Sequence, residues 1–145
     1  MAVKPIPDGY RAVTPYLTAE NAAALLEFLR GAFGAQELER MERPDGSVQH
    51  AEVRIGDSVV MLGQPEAPRK ATPSTLYLYV EDVDSTYERA LKLGATSIQP
   101  VKDQFYGDRS GGVQDPAGNS WYIATHKEDV SPEEMQRRSA ALAKA

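Results

Sequence analysis

Cysteine is missing from this chain altogether. That removes disulfides, thiolate nucleophiles and cysteine-ligated metals at once. Histidine is nearly as scarce: His50 and His126 are the only two, so a three-histidine metal site is excluded. Apolar runs are short, and the longest, Ala22–Leu26 and Val59–Leu62, fall far below the ~20 residues of a membrane-spanning helix. Positive charge is thin as well. Sixteen basic residues against 21 acidic leave a net charge of −5, with no basic block longer than Arg137-Arg138. A nucleic-acid surface needs a basic face, so that partner is argued against, as is a membrane. The stretch Met1–Arg11 carries Pro5, Pro7 and Asp8 where a secretory leader would carry an apolar run, and a cytoplasmic location is expected.

What is present is a repeat. Thr14-Pro-Tyr16-Leu17 and Thr75-Leu-Tyr77-Leu78 recur 61 positions apart, each followed by a capping-rich turn and a helical stretch closing on Phe33-Gly34-Ala35 or Leu93-Gly94-Ala95. A period of that length in 145 residues predicts two copies of one supersecondary unit. Thr18 is the expected cap of a first helix, whose stripe is Ala22, Leu25, Leu26, Leu29, Ala32 and Phe33, with Gly34 as its stop. Around it the pattern predicts a strand at Ala12–Leu17 and three more at Glu37–Arg43, Ser47–Ile55 and Ser58–Gly63. The second unit repeats the order: a strand at Leu76–Val80, a helix capped by Asp82 or Asp84, and strands near Ser97–Val101, Gly111–Gln114 and Ser120–Thr125. Ser131-Pro132-Glu133-Glu134 opens a last helix. The class is α+β: two βαβββ repeats forming a curved mixed sheet of half-barrels, helices on the convex face, plus a C-terminal helix. All of this lies in a single domain over 1–145, with units of about 9–63 and 74–126, a linker at 64–73 and the final helix at about 131–143.

A two-residue turn at Gly56-Asp57 pairs Val53 with Val60 and Ala51 with Leu62, and these apolar pairs should face the helices. His50, Glu52, Arg54, Val59 and Met61 then share the opposite face, and in the last strand Trp121 and Ile123 face helices while Tyr122 faces the hollow.

The doubled βαβββ unit, closed by Asp115-Pro116-Ala117-Gly118-Asn119, resembles the vicinal oxygen chelate superfamily, which includes glyoxalase I, extradiol dioxygenases, fosfomycin-modifying enzymes and bleomycin-binding proteins. Thr14-Pro-Tyr-Leu, the string His50–Ser58, Tyr106-Gly-Asp-Arg109, Trp121 and Ala124-Thr-His126 resemble its PhnB-like branch. The resemblance implies that metal-dependent members bind a divalent ion at four positions, which here are Thr14, Met61, Thr75 and Tyr122. Two hydroxyls, a thioether and a phenol are poor ligands for such an ion, so no metal and no cofactor is expected.

The candidate residues follow from the face assignment. Thr14, Tyr16, Met61, Thr75, Tyr77 and Tyr122 are expected to line the hollow between the copies, with Tyr79 beside them, as stacking area with polar tips for a flat organic ligand. His50 and Glu52 are the weak catalytic candidates, a general base with its neighbour, or simply a half-exposed polar strand face. Arg109, on an expected loop, either clamps a ligand anion or pairs with Asp108 or Asp115. His126 is expected past the last strand in a surface role. The function read from the sequence is a metal-free binder of a small, planar or aromatic organic molecule, acting as a homodimer. The alternative is a glyoxalase-like lyase or isomerase, or a dioxygenase-type enzyme, with a divergent site.

Overall fold

The structure is a computed structural model and describes residues 2–144. The first unit runs β1 (Tyr16–Thr18), α1 (Ala22–Phe33), β2 (Gln36–Glu42), β3 (Val48–Ile55) and β4 (Ser58–Gly63). The second repeats it as β5 (Thr75–Tyr79), α2 (Val83–Lys92), β6 (Thr96–Asp103), β7 (Asp108–Gln114) and β8 (Ser120–His126), and α3 (Pro132–Ala143) follows. Each unit makes its own four-stranded sheet, ordered β1-β4-β3-β2 and β5-β8-β7-β6. In both, the first strand runs parallel to the last and the other pairings are antiparallel. The expected α+β plan of two βαβββ units and a C-terminal helix is therefore present, as two sheets.

Local chemistry explains the boundaries. β1 begins at Tyr16 and not at Ala12, because Pro15 has no N–H and contributes only its carbonyl, to Met61 at 2.9 Å. Asn21, not Thr18, caps α1 by accepting from the Ala24 N–H. Thr18 is diverted to the linker, where it accepts from the Thr72 N–H at 2.8 Å and donates to the Thr72 carbonyl. Gly34 ends α1 in the left-handed region (φ 66°), while Asp82 caps α2 and Ser131 caps α3. β7 starts at Asp108, three residues before the expected Gly111, because Asp108 pairs with His126 and Arg109 with Thr125 in the ladder.

The Gly56-Asp57 turn sets the pairs Ala51 with Leu62 and Val53 with Val60, all four buried. With Leu17, Leu25, Leu26 and Leu29 they join Trp121, Ile123 and Val113 of the second unit in one core. The helices bind the halves together: the Phe33 and Trp121 rings lie 4.8 Å apart, and Arg89 of α2 donates to the Ala32 carbonyl of α1 at 3.0 Å. Both sheets thus turn their apolar faces to a shared, helix-filled interior. Their other faces, polar and aromatic, are left open.

Candidate functional site

On the first open face, strand pairing sets Tyr16, Met61 and Glu52 in one row. The Tyr16 hydroxyl lies 3.1 Å from His50 Nδ1, and His50 Nε2 lies 2.7 Å from Glu52 Oε2. Glu52 is buried, and its second oxygen accepts from the Tyr10 hydroxyl. The bond from His50, then that from Tyr10, hold the Glu52 carboxyl below the usual carboxylate range against the opposing effect of burial. An ionised Glu52 makes His50 Nε2 the donor, which in neutral imidazole leaves Nδ1 to accept from Tyr16. Both nitrogens of His50 are therefore engaged. Beside this chain, residues of the segment 5–12 border an open cavity of about 430 Å³ together with Thr14, Glu39, Glu52 and Met61. The sequence reading missed Tyr10, whose partner stands 42 residues away and is set by no local pattern. An isolated aromatic in a proline-rich segment was the one available signal.

On the second open face, alternation along β5 presents Thr75, Tyr77 and Tyr79, and β8 places Tyr122 opposite Tyr77. Tyr122 lies over Gly112, where a side-chain carbon would fall 3.0 Å from the ring. Tyr77 and Tyr79 both donate to Asp108 Oδ2, at 2.7 and 2.9 Å, with their rings 5.2 Å apart. The other Asp108 oxygen lies 2.7 Å from His126 Nδ1, and His126 Nε2 lies 2.8 Å from Asp129. Burial alone would raise the Asp108 carboxyl, but the bonds from His126, Tyr77 and Tyr79 outweigh it and leave it lowered. His126 is raised by its bond to Asp108 and then by Asp129. Burial, and then the bond to Asp108, push the Tyr77 phenol up. The sequence pattern puts Asp108 in a loop and His126 past the last strand. Both lie in strands, and together they anchor the tyrosines.

Arg109 stands apart from these faces. It occupies the helix side of β7, where it grips Asp84 of α2 through two bonds of 2.9 and 3.0 Å and reaches Asp103 at 3.2 Å. The expected partners Asp108 and Asp115 are engaged elsewhere, Asp115 by Trp121 Nε1 at 2.8 Å and by Asn119. Thr14, Tyr16, Met61, His50 and Glu52 therefore share one open face, and Thr75, Tyr77 and Tyr122 the other. One chain does not gather them into a single hollow.

The four positions that the resemblance assigns to a divalent ion do not fit one. Thr14 precedes β1 and Met61 lies in β4 of the first sheet, while Thr75 and Tyr122 lie in β5 and β8 of the second. Hydroxyl, thioether and phenol are weak donors to such an ion wherever they stand.

Comparison with known proteins bears on the doubled unit. The sequence profile of the Glyoxalase/Bleomycin resistance protein/Dioxygenase superfamily matches residues 12–123. An uncharacterised protein of Mycobacterium tuberculosis is 38% identical over 136 residues, 86% of this chain and 80% of its own length. Among solved structures, TioX from Micromonospora sp. ML1 superposes with a TM-score of 0.68 at 24% identity, covering 80% of this chain and 98% of its own. A PhnB protein from Bacillus cereus, described as a putative 3-demethylubiquinone-9 3-methyltransferase, gives a TM-score of 0.65 at 19% identity, covering 79% and 99%. The profile spans both βαβββ units, from just before Thr14 to Ile123 of the last strand, and with that match the chain belongs to the Glyoxalase/Bleomycin resistance protein/Dioxygenase superfamily.

Proposed function

We propose that this protein, in the PhnB-like branch of its superfamily, binds a planar or aromatic organic molecule on its open sheet faces without a divalent ion, as a cytoplasmic homodimer. One observation carries the reading. Tyr77 and Tyr79 are 46% and 60% exposed, yet their hydroxyls are tied to one buried carboxylate. Aromatic faces held rigid by their polar tips, and left uncovered, lose little entropy when a flat ligand stacks on them. Core tyrosines would be covered, and merely solvated ones would not share an anchor. The dimer follows from the separation of the two faces: a hollow lined by both needs a second copy, whose first face closes over the second face of its partner.

The test is titration of chelator-treated protein with 2-naphthol, followed by fluorescence and by calorimetry. Saturable binding that Tyr77→Ala weakens about tenfold, in line with stacking contributions of ~1–3 kcal/mol, supports the reading. Binding that returns only with added metal ends it. A divergent lyase, isomerase or dioxygenase is the second reading, favoured by the His50–Glu52 pair at 2.7 Å, whose Glu52 lines the open cavity beside the N-terminal segment. Turnover abolished by Glu52→Gln with ligand affinity retained would select it.

A further inference from the structure

We propose that the linker between the two units forms one wall of an anion-accepting groove, so that the ligand of the first open face is an aromatic molecule carrying a carboxylate or comparable anionic group. This rests on the aromatic-ligand reading above and specifies its chemistry.

The linker is a built wall. Arg43, the residue after β2, donates through Nε to Glu66 at 2.7 Å and through Nη2 to the Gln64 carbonyl at 2.7 Å. Its Nη1 donates to Ser47, so the guanidinium is spent on holding the loop. The Arg69 N–H closes a turn onto the Glu66 carbonyl at 3.0 Å, and Thr18 fixes the far end at Thr72. Arg69 and Lys70 stand between these pins, exposed, and among the described residues neither side chain makes an ion pair or hydrogen bond.

Those two cations border a cavity of about 570 Å³ that Tyr16, Gly63, Arg43 and Glu66 also line. The size suits a small organic ligand. Tyr16, 47% exposed, supplies the aromatic wall. Gly63 keeps the floor open, because a side-chain carbon there would fall 2.8 Å from the Tyr16 hydroxyl and 2.5 Å from the Gln49 carbonyl. The charge count decides the ligand. Glu66 is paired with Arg43, and against Glu20, whose carboxylate accepts from the Ala71 N–H, Arg69 and Lys70 still leave the linker wall with an excess of positive charge in a chain whose net charge is −5. A local positive cleft on an acidic protein selects anions by field focusing. The acids of this face, Glu39 and Glu52, line the other cavity, on the side of the N-terminal arm.

Three naphthyl probes that differ in the charge of one small substituent test this by calorimetry at low salt: 2-naphthoate, 2-naphthylmethanol and 2-naphthylmethylamine. Naphthoate is expected to bind about tenfold more tightly than the alcohol, and the amine most weakly. The pair Arg69→Gln with Lys70→Gln is expected to remove that tenfold advantage and leave the alcohol unchanged. The pair Lys92→Gln with Arg137→Gln makes the same change in net charge away from the groove and is expected to leave naphthoate binding intact. Equal affinity for alcohol and naphthoate overturns the groove while the aromatic reading stands. So does a naphthoate affinity indifferent to Arg69 and Lys70, or lowered equally by the distant pair. Failure of all three probes to bind overturns both.

Discussion

Tyr77 donates its hydroxyl to Asp108 at 2.7 Å while nearly half of its surface stays open to solvent. The two halves of that statement separate stability from binding. Asp108 keeps Tyr79 and His126 as partners when Tyr77 is lost, so no buried charge is orphaned. Tyr77→Ala is therefore expected to cost less than the ~3–5 kcal/mol of a truncated core aromatic, while the naphthol affinity falls. Thermal melting and titration of the same variant check this. A steep loss of melting temperature with unchanged affinity would place Tyr77 in the core.

The anchor should also be visible in the pH dependence of stability. His126 is raised above its usual 6.5, so its contribution is complete below that value and is lost as pH rises through the folded-state value. Asp108 is lowered from its usual 3.8, so its contribution is present above that value and is lost as pH falls through the folded-state value. Urea unfolding is expected to show a plateau between these limits and a decline as pH rises above 6.5. His126→Gln should flatten that decline. A wild-type curve that rises across the same range would contradict the His126–Asp108 assignment.

Arg109→Ala distinguishes a strut from a ligand clamp. The guanidinium bridges α2 and β6 from the helix side of the second sheet, with both Arg109 and Asp84 partly exposed. Its removal is expected to lower the melting temperature only slightly, as for a solvent-screened ion pair, and to leave affinity for all of the naphthyl probes unchanged. A selective loss of naphthoate binding would return Arg109 to the ligand.

The sequence carried the repeat, the helix stripes and the Gly56-Asp57 register because each is a local pattern with a fixed period. Val53, Val60, Leu62, Trp121 and Ile123 could be assigned to the core from alternation alone, and Tyr16, Tyr77 and Tyr122 to open faces by the same rule. Alternation does not say whether two faces meet. The packing of α1 on α2, with Phe33 against Trp121, sends them apart, and that contact joins residues 88 positions distant. Long-range polar partners were hidden for the same reason. Asp108 reads as loop beside Gly107 until its pairing with His126 draws it into β7, and Arg109, one residue on, must then face the opposite side.

Tyr10 and Glu52 supply the last prediction. Among the described residues, the Tyr10 hydroxyl makes the one hydrogen bond from segment 2–12 to a strand of the first sheet; its other bonds are internal, such as Lys4 to Asp8 and the Tyr10 N–H to Pro7, or run to the next turn of chain, as from the Thr14 hydroxyl to the Arg11 carbonyl. Val3, Ile6 and Val13 stay exposed, so little apolar burial holds the segment down. Tyr10→Phe keeps the ring and removes the latch, and a hydrogen bond to a charged acceptor contributes about 1.5–3 kcal/mol. If the segment opens and recloses faster than it is cut, native-state trypsin cleavage after Arg11 should accelerate about tenfold or more. The global melting temperature should move little, because the core does not include this segment. Tyr16→Phe, which leaves the latch intact, should cleave at the wild-type rate. Equal rates for Tyr10→Phe and wild type would mean that the segment is held by its packing on Met61 and Glu39, and that the phenol–carboxylate bond is incidental to it.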